Sequence, residues 1–131
     1  MADAKEDEKR DTVDDLMLQL ARGRVVLGVA AFTLPGLTVR LVGMGKGRDP
    51  GRDFVTRMFA AREIALGAGY LLSKEPNRKL WARLGLAVDG LDTLNALRSR
   101  KGLPLWVTAG ATAVAGGCTA LGTAKVTRDL L

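Results

Sequence analysis

Apolar residues in this chain fall into four blocks, separated by short connections rich in Gly, Pro and charge. The first eleven residues are charged and lack Gly, with nothing to bury, and are expected to form a flexible acidic tail. Thr12, with Asp15 three residues on, imitates a capping box. From there Val13, Leu16, Met17, Leu18 and Leu20 lead through Arg22 and Arg24 into Val25–Val39, a run without charge. Pro35 lies inside that run and should kink the helix or end it early, and Arg40 can snorkel at its far end. The breaker-rich stretch Gly43–Arg52 ends in Asp49-Pro50, a cap residue before a Pro at a first helical position. Gly102 and Pro104 likewise close one helix and open the next. The pattern predicts helices over about 12–42, 53–72, 78–98 and 104–124, in one domain covering 12–131.

The last block, Pro104–Ala124, holds 21 residues and no charge. As a helix it spans roughly 31 Å, about the hydrocarbon thickness of a bilayer. It is also rich in small residues, and Ala109, Ala113 and Gly117 recur every four positions. Such a ridge lets helices approach closely in lipid and is the expected helix-packing surface. Trp81 and Trp106 near helix starts, and Tyr70 near a helix end, sit at depths where amphipathic rings favour a membrane interface.

The third block has two faces. Asp89 and Asp92 share one with Trp81, Ala82, Gly85 and Ala96, while Leu80, Leu84, Leu86, Leu91, Leu94 and Leu97 cover the other. In water the leucines would be core and the acids solvated. In lipid the leucines face acyl chains and the small, acidic face turns inward. The breadth of the leucine face and the uncharged fourth block favour lipid. Each mid-membrane Asp costs about 2.5–3.5 kcal/mol and each Leu returns only about 0.3–0.6. The third helix therefore needs a counter-charge, and Arg62 lies mid-way along the second. The expectation is a hairpin in which Arg62 meets Asp89 or Asp92, with Glu63 at the same seam. Arg62, Glu63, Asp89 and Asp92 thus form the candidate polar cluster. With three acids for one base, one carboxyl is expected to be protonated. A purely structural role, fixing helix register, is the competing account.

Composition narrows the chemistry. There is no His, which removes the commonest general base and metal ligand. The single Cys118 cannot form an intramolecular disulfide and lacks partners for zinc. No metal or cofactor is expected, and Gly43-Met44-Gly45-Lys46-Gly47 lacks the spacing of a nucleotide loop. The net charge of +6 combines −4 over residues 1–15 with +10 over the rest. The bases lie in connections such as Arg78-Lys79 and Arg98-Ser99-Arg100-Lys101, not along one helix face. That placement fits anionic lipid head groups and argues against nucleic acid. No cleavable signal peptide is recognisable. Eleven Lys and Arg on the side of the termini against eight opposite favour a cytoplasmic N-terminus in a multi-pass plasma-membrane protein.

Ala61-Arg62-Glu63 followed by Leu66-Gly67, with Asp89-x-x-Asp92 in the next helix, resembles small four-helix membrane proteins found widely in actinobacteria. The resemblance covers roughly residues 24–124 and implies architecture only, since that family has no assigned activity. The expected fold class is all-α, a four-helix transmembrane bundle. Three functions are compatible with it. One is an accessory or scaffold subunit contacting lipid, docking on a larger membrane complex or on a second copy through the fourth helix. Another is a transporter-like or proton-relay module using Glu63, Asp89 and Asp92. The third is an acid/base enzyme, of the isomerase or cyclase type, in which the same three carboxyls would act on a lipophilic substrate.

Overall fold

A computed structural model describes residues 2–45, 47–99, 101–102 and 104–130, with Thr108 as backbone only. All its regular structure is helical: α1 (Ala2–Thr33), α2 (Pro35–Leu41), α3 (Pro50–Leu72), α4 (Asn77–Arg98) and α5 (Leu105–Leu130). The helix expected over 12–42 is thus two helices. Leu34 leaves helical geometry, as a residue before proline tends to, and Pro35 opens α2 at its first position. Asp49 caps α3 by accepting from the Arg52 backbone N–H at 3.0 Å. At the other end of α3, Arg78 reaches back from α4 to donate to the carbonyls of Tyr70 (3.1 Å) and Leu71 (3.5 Å).

Two boundaries differ from expectation. Residues 2–11 continue α1 as an exposed helix, since no Gly or Pro interrupts them. Thr12 is consequently not a cap; its hydroxyl donates to the Glu8 carbonyl at 2.9 Å inside the helix. At the other terminus α5 runs on past 124 to Leu130, because Lys125–Arg128 contains no breaker.

α1 packs along α3, α5 packs along α4, and α1 also touches α5. α3 and α4 touch only sparsely, while α2 rests on α1 and α3. The four long helices therefore form a square with α1 and α4 on a diagonal. One end, here the near end, gathers the start of α1, the α3–α4 turn and the end of α5. The far end holds α2 and the Gly43–Asp49 connection. There Gly43, at φ +77°, lies against the Trp106 ring, where an added Cβ would come within 2.3 Å of it.

The buried positions repeat in steps of three and four: Met17, Ala21, Arg24, Gly28 and Ala31 on α1; Ala60, Glu63, Gly67 and Tyr70 on α3; Ala82, Gly85 and Asp89 on α4. This is the seven-residue seam of a left-handed coil, made here of small residues with one charged layer. Glycine sets the closeness of α1 and α3. A Cβ on Gly67 would meet the Ala21 carbonyl oxygen at 2.5 Å, and one on Gly28 would meet that of Ala60 at 2.7 Å.

Many large apolar side chains lie on the surface. No large side chain is completely buried among the described residues, while Val26, Phe54, Met58, Leu84, Leu91, Trp106 and Val114 are exposed. α1 and α5 are each long and apolar enough to cross a membrane. The ridge expected to pack, Ala109, Ala113 and Gly117, lies on the outer surface of α5 and contacts no other helix. α5 instead meets α4 at Gly122, where an added Cβ would lie 3.3 Å from Leu86.

These contacts give two glycine substitutions of opposite sign. Gly67→Ala should destabilise the fold by about 1–3 kcal/mol through overpacking. Gly117→Ala, in open space, should stabilise it by roughly 0.5–1 kcal/mol. Thermal unfolding of the two variants in detergent checks the pair.

Candidate functional site: a charge layer at the bundle centre

The seam places Arg24 of α1 opposite Glu63 of α3, and the diagonal of the square carries its guanidinium on toward Asp89 of α4. Arg24 Nη1 donates to both Glu63 oxygens, at 3.0 and 3.3 Å, and Nη2 donates to Asp89 Oδ2. Gly85 lies one turn before Asp89, and a Cβ there would make ordinary contact with Nη2 at 3.6 Å. Arg62 makes a two-pronged pair with Asp92, at 2.8 and 3.3 Å, and lies 3.6 Å from Glu63 Oε1. Its guanidinium also stacks over Phe59, 4.9 Å from the ring centre. The five groups form a chain of alternating sign: Asp89, Arg24, Glu63, Arg62, Asp92.

Burial divides the chain in two. Arg24, Glu63 and Asp89 are 8%, 4% and 5% exposed. The side chains of Arg62 and Asp92 are 37% and 34% exposed, on the flank between α3 and α4. Thr93 adds a tether on α4, donating to the Asp89 carbonyl at 2.8 Å and lying 3.3 Å from Thr119 of α5.

All four residues named from the sequence lie in this layer, with Arg62 on Asp92 and not on Asp89. The residue missed is Arg24. It was read as a flank of the uncharged run at Val25, although the Met17-Ala21-Arg24-Gly28-Ala31 spacing places it on the seam. With Arg24 included, three acids face two bases rather than one.

A cavity of about 20 Å³ lies on the near-end side of the layer, lined by Arg24, Asp89, Tyr70, Trp81, Met17 and Gly122 among others. That is room for about one water.

A second charged cluster ties the near end together. Lys125, itself buried, donates to Asp14 at 2.9 Å and to Asp129 at 3.2 Å. Arg128 donates to Asp14 at 2.6 Å and to the Arg10 carbonyl at 2.8 Å. Partial burial works against charge on Asp14, but the bonds from Arg128 and Lys125 outweigh it and hold the carboxyl below its ordinary range. Burial likewise opposes the Lys125 cation, and Asp14 and Asp129 more than offset it, holding its pKa above the ordinary lysine value. The cluster was not legible in sequence, because Asp14 and Lys125 are 111 positions apart.

Elsewhere the structure is plain. Among the described residues no group of His, Cys, Asp and Glu is arranged to hold a metal ion. Cys118 is free and half-buried. The glycine loop serves as a turn, with Gly43, Gly45 and Gly47 at positive φ and Arg52 donating to the Gly47 carbonyl at 2.7 Å. Lys46 in that loop and Arg100 in the α4–α5 connection lie outside the described residues. Comparison with protein-family models, curated proteins and solved structures finds no match to this chain.

The geometry ranks the two arginines. Arg24→Leu strands two buried carboxylates and should destabilise the protein by about 3–5 kcal/mol. The triple change Arg24→Leu, Glu63→Gln, Asp89→Asn should recover most of that loss. Arg62→Leu, at a half-exposed pair, should cost no more than about 1 kcal/mol. Unfolding in detergent checks the ranking, and equal losses for the two single variants would contradict it.

Proposed function

We propose that the chain is a small plasma-membrane protein, a four-helix bundle crossing the bilayer over about residues 12–42, 53–72, 78–98 and 104–124. It acts there as a non-enzymatic scaffold or accessory subunit. One observation carries this: many large apolar side chains face outward, while three of the buried charged ones, Arg24, Glu63 and Asp89, face one another inside. In water that arrangement leaves apolar surface exposed and costs desolvation at the centre. In lipid the apolar surface is covered, and pairing offsets the cost of the central charges. Among the described residues only α1 and α5 hold a stretch long and apolar enough to cross on its own; α3 and α4 carry Glu63, Asp89 and Asp92, which Arg24 and Arg62 neutralise.

The likeness to small actinobacterial membrane proteins supports the same architecture. Bases in the connections suit anionic head groups on either side, with the N-terminus cytoplasmic. The small-residue ridge on the outer face of α5 is where a larger membrane complex or a second copy would dock. Room for a single water beside the carboxyls favours a scaffold over an acid/base enzyme acting on a lipophilic substrate. The proton-handling alternative is favoured by a separate observation, the unequal count of acids and bases in the layer.

The test is extraction of native membranes with alkaline carbonate. The protein should stay in the pellet and leave it only with detergent. Release into the aqueous fraction would overturn the membrane assignment.

A further inference from the structure

Two bases and three acids leave the central layer one negative charge in excess when every group is ionised. In a low-dielectric interior such an excess is costly, and the cheapest remedy is a proton on one carboxylate. The three acids are not equivalent. Glu63 accepts from Arg24 with both oxygens and has Arg62 as a second cationic neighbour. Asp92 accepts from Arg62 with both oxygens and is the most exposed of the three. Asp89 is held through Oδ2 alone, and its Oδ1 has no donor among the described residues. It is deeply buried, and it borders the cavity that has room for one water.

Across that cavity Tyr70 is buried to a similar depth, and its hydroxyl has no hydrogen-bond partner among the described residues. Arg78 lies over its ring, 5.0 Å from the centre, and Lys125, Asp14 and Asp129 of the near end act on it through space. The cavity thus has a polar group at each end, one on the charge layer and one beside the near-end cluster.

We propose that Asp89 is a proton-binding site, holding one exchangeable proton on Oδ1 and reached by water from the near end past Tyr70. The site rests on the membrane assignment above. The groups facing it are Arg24 from α1, Glu63, Arg62 and Tyr70 from α3, Asp92 on its own helix and Cys118 from α5. Binding is simple protonation: water supplies the proton, the carboxylate becomes a carboxylic acid, and the layer becomes neutral. Oδ2 still accepts from Arg24, so the helix contact survives in both states.

Infrared spectroscopy of the full chain in lipid nanodiscs near pH 7, where an ordinary carboxyl is ionised, tests this. The expected result is a protonated-carboxyl carbonyl band that shifts when aspartate carboxyls carry carbon-13 and disappears in Asp89→Asn. Tyr70→Phe should slow deuterium exchange of that band several-fold. Absence of the band, its survival in Asp89→Asn, or a shift with labelled glutamate instead of aspartate would overturn the site. Should the Asn variant fail to fold, an aspartate-shifted band that survives in Asp92→Asn still assigns the proton to Asp89, and loss of the band in Asp92→Asn would overturn the site. Unchanged exchange in Tyr70→Phe would overturn the route. A chain retained in carbonate-washed membranes but lacking the band loses the proton site alone; one released by carbonate loses the membrane assignment.

Discussion

The structure turns on one guanidinium shared by two helices. Arg24 of α1 binds Glu63 of α3 and reaches across the bundle to Asp89 of α4, so a single side chain fixes the rotation of three helices at one level. Small residues make this reach available. Ala21, Gly28, Ala60 and Gly67 bring α1 against α3. Bulkier neighbours would push the arginine away from its partners and leave buried charges without compensation. The tight seam and the charge layer therefore depend on each other.

That dependence accounts for the unusual surface. The seam is mostly Ala and Gly with a few larger residues such as Met17, Leu66 and Tyr70, so most of the large apolar side chains lie outside. The core supplies little burial of the kind that holds a water-soluble domain together. Dense backbone packing and paired charge take its place, and on the proposed assignment the bilayer covers the outer face. At the near end the Asp14–Lys125–Arg128–Asp129 cluster fastens the start of α1 to the end of α5, in a region where water can solvate what the partners do not.

Much of the fold was legible because it is written locally. Pro35, Pro50 and Pro104, each beside a change in hydropathy, place helix boundaries within a few residues, and Asp89 and Asp92 share a face with Ala82 and Gly85 by simple periodicity. Arg62, Glu63, Asp89 and Asp92 stood out as charges inside apolar blocks. Arg24 did not, because a charge at the edge of an uncharged run looks like an interfacial anchor until the seven-residue seam is traced through it. The ridge on α5 is a different case, since it lies on the outer face of this single chain. Small residues at four-residue spacing say that a close approach is sterically open, and not which helix makes it. Pairings between Asp14 and Lys125, or between Arg24 and Asp89, arise only from how the helices are arranged in space.

The central claim is that hydrocarbon covers the outward leucines and valines while the charges are satisfied within. Spin labels placed singly at Val26, Leu84, Leu91 and Val114 in a Cys118→Ala background, with the protein in liposomes, test it directly. Frequent collision with dissolved oxygen and little with a water-soluble nickel chelate at all four positions is the predicted result. Strong nickel collision at these sites would mean that water wets the leucine face, and would contradict the account.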